Sequence, residues 1–357
     1  MTVFLRLLES AVDEKPAAMR DAVAALRELE GVRERRPTNV FQLDASDFPL
    51  IPGSPFAYWV SESLRDAFRS FTRFEAEDRT VKQGLATADD YRFVRAWWEV
   101  APERLGTYWF PFAKGGAYSP FYADVHLCIY WSDDGAEILS FPKSFVRSPG
   151  HYFRPGLTWP LRSHRFAPQA LFSGCIFSVR GYAVFVPQIE LLATLAVFNS
   201  QCFDYLFKVL LGRFGFPEFI VGKLQQMPWQ VLRSPELDLF SRLARRAWST
   251  YRSLDTTNET SHAFLLPPGL NESVTGLDPA GVEQELGRIQ EEIDEHAFRL
   301  YQISEEDRAA IEAFSQRGAA DSDSETGASS SDDEEEERAG EAAVQGGAPA
   351  ETVLSWL

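Results

Sequence analysis

The stretch "CIFSVRGYAVFVPQIELLATLAVFNSQCFDYLFKVLLG", residues 175–212, sets two periodicities side by side. In its first part, "CIFSV" and "AVFVP" are short apolar and aromatic runs separated by Gly181 and closed by Pro187, which predicts strands. Its second part, "IELLATLAVFNSQCFDYLFKVLLG", is too long for a strand and predicts one long, mostly buried helix ending near Gly212. Asp204 and Lys208 interrupt that run, which makes it a core helix and not a membrane span. Strands feeding an apolar helix place the chain in the mixed α/β class.

The same punctuation extends outward. From Thr107 to Pro187 short aromatic and β-branched runs alternate with Gly, Pro and Asp; "VHLCIYW" (125–131) and "AEILSF" (136–141) are expected strands, joined by "SDDG" as a hairpin turn. Upstream, "AAMRDAVAALRELE" (17–30) predicts a helix ended by Gly31. "PLIPGSPFAYWVSESLRDAFRSF" (49–71) predicts a turn and then an amphipathic helix, with Ser61 capping it ahead of Leu64, Phe68 and Phe71. Downstream, residues 235–251 and 280–316 are two more helical stretches. The expected organisation is an N-terminal helical or linker segment (1–46), a mixed-sheet domain flanked by helices (47–232), a helical region (233–317), a disordered acidic tail (318–350), and the start of an apolar element (351–357).

Composition bounds the rest. The 357 residues are 45% hydrophobic and 13% aromatic, enough for one large core or two ordinary ones. No charged, apolar and small-residue leader opens the sequence, and no apolar run reaches the roughly 18 to 20 residues of a membrane span, so a cytoplasmic protein without membrane contact is expected. Cys128, Cys175 and Cys202 lack metal-ligand spacing and are expected to be reduced core residues. The acidic low-complexity run from Gly318 to Glu351 carries 11 acids and one arginine, so the body accounts for only about −7 of the formal −17.

The search for chemistry is mostly negative. There is no G-x-x-x-x-G-K-[ST] loop, no G-x-S-x-G turn and no H-E-x-x-H pair, and the five histidines have no ligand partner at helical spacing. One positive signal stands out. Between Glu137 and Glu190 the sequence has no acidic residue, while Lys143, Arg147, Arg154, Arg162, Arg165 and Arg180 recur among Tyr152, Phe153, Trp159 and Phe166. Arginine gives bidentate hydrogen bonds to phosphates and guanine edges, and rings or the Thr158 methyl pack on sugars and bases. Interleaving them without carboxylates suits a nucleic-acid surface. The alternative is that these arginines pair with acids elsewhere in the chain and the rings fill its core. In that case recognition would move to the loops around Lys82, Gln83 and Thr87 and around Lys114 to Tyr118.

Several phrases, in order, resemble one family. "TYWFPFAKGGAYSPFYADVHLCIYWSDDGAEI" (107–138) is similar to the start of the target-recognition region of adenine-specific DNA methyltransferases of the BREX phage-defence type, the PglX family, and of related type IIG restriction-modification enzymes. The K-G-G-x-[YF] segment is Lys114, Gly115, Gly116 and Tyr118, and the W-x-x-D-G turn is Trp131, Asp134 and Gly135. "YFRPGLTW" (152–159), "LLATLAVFNSQ" (191–201) and "VGKLQQMPW" (221–229) resemble later phrases. "PGSPFAYWVS" (52–61) and "GLATADDYRFVRAWWEV" (84–100) resemble earlier ones, and "IQEEIDEHAFRLYQISEEDRAAIE" (289–312) resembles the late helix. The final "ETVLSWL" resembles the beginning of a further family helix.

The resemblance implies recognition of double-stranded DNA, with Lys114, Lys143, Arg147, Arg154, Thr158, Arg162, Arg165 and Arg180 as contacts and Lys82, Gln83 and Thr87 as a secondary loop. It does not carry over catalysis. Family enzymes bind S-adenosylmethionine through a Gly-rich loop and hold a flipped adenine with Asn/Asp-Pro-Pro-aromatic. Neither is present, since Pro267-Pro268 lies between Leu266 and Gly269. The cofactor is therefore expected on a missing domain or a partner subunit, with other defence proteins as further partners, and the chain alone is expected to be inactive. A non-catalytic interaction module of a defence complex, or a degenerate remnant, is the alternative.

Overall fold

The computed structural model describes residues 2–7, 11–28 and 39–322. Met1–Ser315 forms one compact unit, and Gln316–Leu357 a second. The expected acidic tail lies almost wholly outside the described residues, as does 351–357, although the last helix runs past Gly318 to Ser322.

Along the chain, β1 (Thr2–Leu5), α1 (Lys15–Glu28) and β2 (Val40–Leu43) come first. Next are α2 (Glu62–Ser70), β3 (Thr72–Arg73) and β4 (Thr80–Lys82). They lead to α3 (Asp90–Phe93), β5 (Val94–Ala96), β6 (Trp109–Ala113), β7 (Leu127–Tyr130) and α4 (Ala136–Ser140). After a long loop come β8 (Gly156–Pro160), β9 (Gln169–Leu171), β10 (Ile176–Phe177) and β11 (Gly181–Phe185). Then follow α5 (Leu191–Phe198), α6 (Gln201–Leu211), α7 (Val221–Leu224) and β12 (Pro228–Trp229). The remainder is helical: α8 (Ser234–Leu254), α9 (Pro268–Thr275), α10 (Pro279–Leu300) and α11 (Glu305–Ser322).

Two four-stranded sheets organise the body, bearing out the mixed α/β class. One is antiparallel throughout in the order β4-β11-β8-β9; the other has the order β10-β6-β7-β5, with β10 parallel to β6. Every residue of β11 is buried, because its alternating side chains serve two cores. Tyr182 and Val184 join Leu157 and Trp159 in a larger core that extends to α5, α6, α8 and α10. Ala183 and Phe185 face a smaller core with Phe112, Ile129, Ile138 and Phe177. Gly156 is required where β8 meets β11, since a Cβ there would lie 2.5 Å from the Val184 carbonyl oxygen.

Trp159 is fully buried, and its indole N–H donates to the Phe219 carbonyl at 2.9 Å. The three cysteines are buried and unpaired, and burial pushes the thiols of Cys128 and Cys175 up to about 11 and about 12. Such thiols are unreactive. Ser61 caps α2 as expected, accepting from Leu64 N at 3.2 Å. Among the described residues no helix is long and apolar enough to cross a membrane.

Four local expectations are corrected. "AEILSF" is helix α4 and not a strand, so "SDDG" is no hairpin turn. Asp133, Asp134 and Gly135 are all left-handed, which turns the chain into α4 so that Ile138 is buried and Phe141 packs beside it. The apolar stretch 189–212 is two helices, because Asn199 turns its side-chain amide onto the carbonyls of Pro168 and Leu195 and Ser200 caps α6 through Phe203 N. Residues 280–316 likewise divide at Gln302, which is left-handed, and at Ser304, whose hydroxyl accepts from Asp307 N at 3.1 Å. Finally, the N-terminal segment contains the antiparallel pair β1–β2, with Phe4 stacked on Tyr58 at 4.7 Å.

Candidate nucleic-acid interface

The loop between α4 and β8, residues 141–155, carries the first half of the basic stretch. Its shape is fixed from beneath. Phe145 and Ala86 exchange two backbone hydrogen bonds of 3.0 and 3.1 Å, the buried Tyr152 donates its hydroxyl to the Arg147 carbonyl at 2.7 Å, and Phe153 N donates to the Cys175 carbonyl at 2.8 Å. Lys143, Ser148 and Phe153 are left-handed, with φ of 67°, 53° and 65°. For residues other than glycine such backbone costs about 1 to 3 kcal/mol each, and it persists only where neighbouring contacts impose it.

Those contacts also bring the two sequence-separated candidate segments together. Arg147 donates from Nη1 to the Gln83 side-chain oxygen and lies over the Phe145 ring at 4.8 Å. Arg154 lies over the Phe185 ring at 5.5 Å, and the His151 ring is 5.0 Å from the same ring. Lys82 extends from β4 beside them, 3.8 Å from Glu75. Lys143, Arg147 and Arg154 are exposed, and none of them pairs with a carboxylate among the described residues. Sequence reasoning did not single out His151, which lies between Lys143 and Arg154 in the basic stretch but has no ligand partner at helical spacing.

A neighbouring polar group holds Thr87, Lys114 and Arg180. Lys114 pairs with Asp90, to which Thr87 also donates at 2.5 Å, and Gly115 crosses so close to Arg180 that a Cβ would lie 2.7 Å from its carbonyl oxygen. Thr87 is buried, and Lys114 and Arg180 are half-buried.

The second half of the stretch turns inward. Thr158 is 4% exposed in the middle of β8, so it is placed in the interior rather than on a surface that DNA could touch. Arg162 gives Nε and Nη2 to Glu218 at 2.9 and 2.5 Å. Arg165 interacts with Tyr118, Asp204 and Asp294; burial lowers its pKa, but those groups outweigh it and hold the guanidinium above its ordinary value. Asp204 in turn accepts from Phe166 N at 2.8 Å and from the buried Lys208 at 2.9 Å. The carboxylates absent from 138–189 thus arrive from α6, α10 and the loop before α7.

Among the described residues no group of three or more His, Cys, Asp or Glu side chains is placed to hold a metal ion. Pro267 and Pro268 are the cap and first residue of α9, with no amide or aromatic side chain adjoining them in sequence. Among the described residues the one parallel strand pair, β10–β6, matches two residues only.

The adenine-specific methyltransferase PglX of Lacticaseibacillus casei (strain Zhang) is 26% identical over 250 residues, which is 63% of this chain and 20% of that protein. The adenine-specific methyltransferase BrxX of Escherichia coli O9:H4 (strain HS) is 29% identical over 233 residues, 62% of this chain and 19% of that protein. The chain is similar to PglX-type adenine-specific methyltransferases. It spans about a fifth of the length of these curated relatives. No family model matches it. The PglX similarity agrees with the phrases read in the sequence, and five residues of those phrases, Gly115, Gly135, Gly156, Trp131 and Trp159, make close internal contacts.

Proposed function

We propose that this chain is a DNA target-recognition part of an adenine-specific methyltransferase of a BREX-type phage-defence or restriction-modification system, acting in the cytoplasm. Double-stranded DNA lies against Lys82, Gln83, Lys143, Arg147 and Arg154. A catalytic domain or partner subunit binds S-adenosylmethionine and transfers the methyl group to the adenine amine. The observation that carries this reading is a loop held in a strained shape that presents three exposed, carboxylate-free cations. Phosphate contacts from such cations set register on the duplex, and one bidentate arginine can read a guanine edge. A loop already fixed before binding loses little further entropy when DNA arrives.

The similarity to adenine-specific methyltransferases supports the reaction, and the matched region is only about a fifth of their length, which leaves room for the catalytic part elsewhere. Two measurements test the proposal. In a mobility-shift titration with mixed-sequence duplex, the full chain binds, and affinity falls steeply between a low and a moderate salt concentration. With labelled S-adenosylmethionine and the same duplex, the chain alone transfers no label, and a catalytic partner restores transfer. Absence of duplex binding at low salt would reject the recognition role; transfer by the chain alone would reject the division of labour.

A further inference from the structure

We infer that His151 reads a base edge at the centre of the proposed DNA face, between the cations of Lys82 and Arg154. This rests on the recognition reading and names a residue within it. His151 closes the one-turn helix Pro149–His151, whose backbone is tied by His151 N to Ser148 O at 2.9 Å and by Tyr152 N to Pro149 O at 3.1 Å. Tyr152, the next residue, is buried and anchored to the Arg147 carbonyl, so the turn cannot swing freely. The imidazole lies 5.0 Å from the Phe185 ring at 47°, which fixes its plane. Neither ring nitrogen has a hydrogen-bond partner among the described residues. A side chain that is oriented but unsatisfied is poised for an external partner.

The charged groups facing it are Arg154 from its own loop, Lys82 from β4 and Glu75 from the segment before β4. Burial first, and then Arg154 and Lys82, hold its pKa below the ordinary histidine value, with Glu75 acting in the opposite sense. The ring is therefore neutral at physiological pH and offers one N–H donor and one nitrogen acceptor. Flanking cations hold phosphates without regard to sequence; a neutral donor and acceptor between them distinguishes bases. The acceptor fits an exocyclic amine of adenine or cytosine, and the donor fits the O6 or N7 of guanine.

The test is a selection from a random-sequence duplex library with the full-length parent, His151→Ala, His151→Gln and Arg154→Ala. The parent is expected to enrich a site. Both His151 variants are expected to lose the preference at one base pair by about tenfold, roughly the effect of one mismatched pair, while duplex affinity at other positions stays level. Arg154→Ala weakens binding to all duplexes. A pH arm adds an independent readout: as pH falls through the lowered pKa of His151, the parent gains a cation and loses the acceptor. Its binding to random duplex then tightens, its salt slope steepens by about one, and its selectivity at that base pair falls. His151→Gln shows neither change.

Unaltered selectivity and pH response in both His151 variants would overturn the inference. A parent that binds duplex without enriching any base would also overturn it and leave the DNA grip standing. A parent that fails to bind would reject the recognition reading itself.

Discussion

Arg147 and Arg162 carry the same group in the same basic stretch, and their surroundings assign them different work. Arg162 commits two donors to Glu218 in an exposed pair worth about 0 to 1 kcal/mol. Arg147 touches an amide and a ring, neither of which cancels its charge. Arg147→Ala is expected to weaken binding to all duplexes and lower the salt slope by about one, whereas Arg162→Ala leaves both near the parent value. Titrations of the two variants at matched salt separate them; equal losses would mean that Glu218 releases Arg162 to DNA. Trp159 belongs to the other kind of residue in this stretch, since its ring packs 5.4 Å from Phe166 and its N–H is satisfied internally. Trp159→Ala is expected to cost about 3 to 5 kcal/mol and to lower the melting temperature by several degrees, read by calorimetry.

At the scale of elements, patterns with one physical solution were legible in the sequence. The buried alternation of Tyr182 to Phe185, the Ser61 cap and the Gly212 stop each have a single good use in the fold. "AEILSF" had two, because Ile138 and Phe141 satisfy helical spacing as well as a strand satisfies alternation, and the left-handed Asp133 and Asp134 decide for the helix. The break at Asn199 was hidden by the apolar run around it, and its reason, a carbonyl at Pro168, is distant in sequence. The same distance limited the candidate site: its cations were legible, but Asp90, Glu218, Asp204 and Asp294, which neutralise some of them, were not. Asp294 shows what such a remote carboxylate does. From α10 it accepts from the first N–H of α6, that of Gln201, at 2.7 Å and from the Gln201 side chain at 2.8 Å. Burial, opposed by these bonds and by Arg165, raises its pKa. A carboxyl with a raised folded-state pKa contributes stability that is fully present below its unfolded value, near pH 4, and is lost as pH rises through the folded value. Urea midpoints of the parent should therefore decline relative to those of Asp294→Asn between pH 4 and 7.5, and parallel curves would show that Asp294 titrates alike in both states.

At the scale of the whole molecule, an acidic chain with a basic face has to keep its own charge away from the phosphates it is proposed to hold. The formal −17 is concentrated late in the sequence, and setting aside Gly318–Glu351 leaves about −7. The first compact unit ends at Ser315, and most of that charge follows Ser322 in the sequence. A run of like charge covalently attached to a DNA-binding body acts as a competitor at high effective concentration, and its competition is screened once the Debye length falls to about 8 to 10 Å. Removing residues 323–351 leaves α11 intact, which keeps the comparison free of a packing change. The shortened chain is expected to bind mixed-sequence duplex several-fold more tightly than the parent at low salt, with the two converging above physiological ionic strength. Association rates should rise more than dissociation rates change, because the competitor acts on the encounter rather than on the docked contacts. Equal affinity at low salt would reduce the acidic run to a solubilising segment, and an equal gain at all salt concentrations would point to contact with the face that screening does not reach.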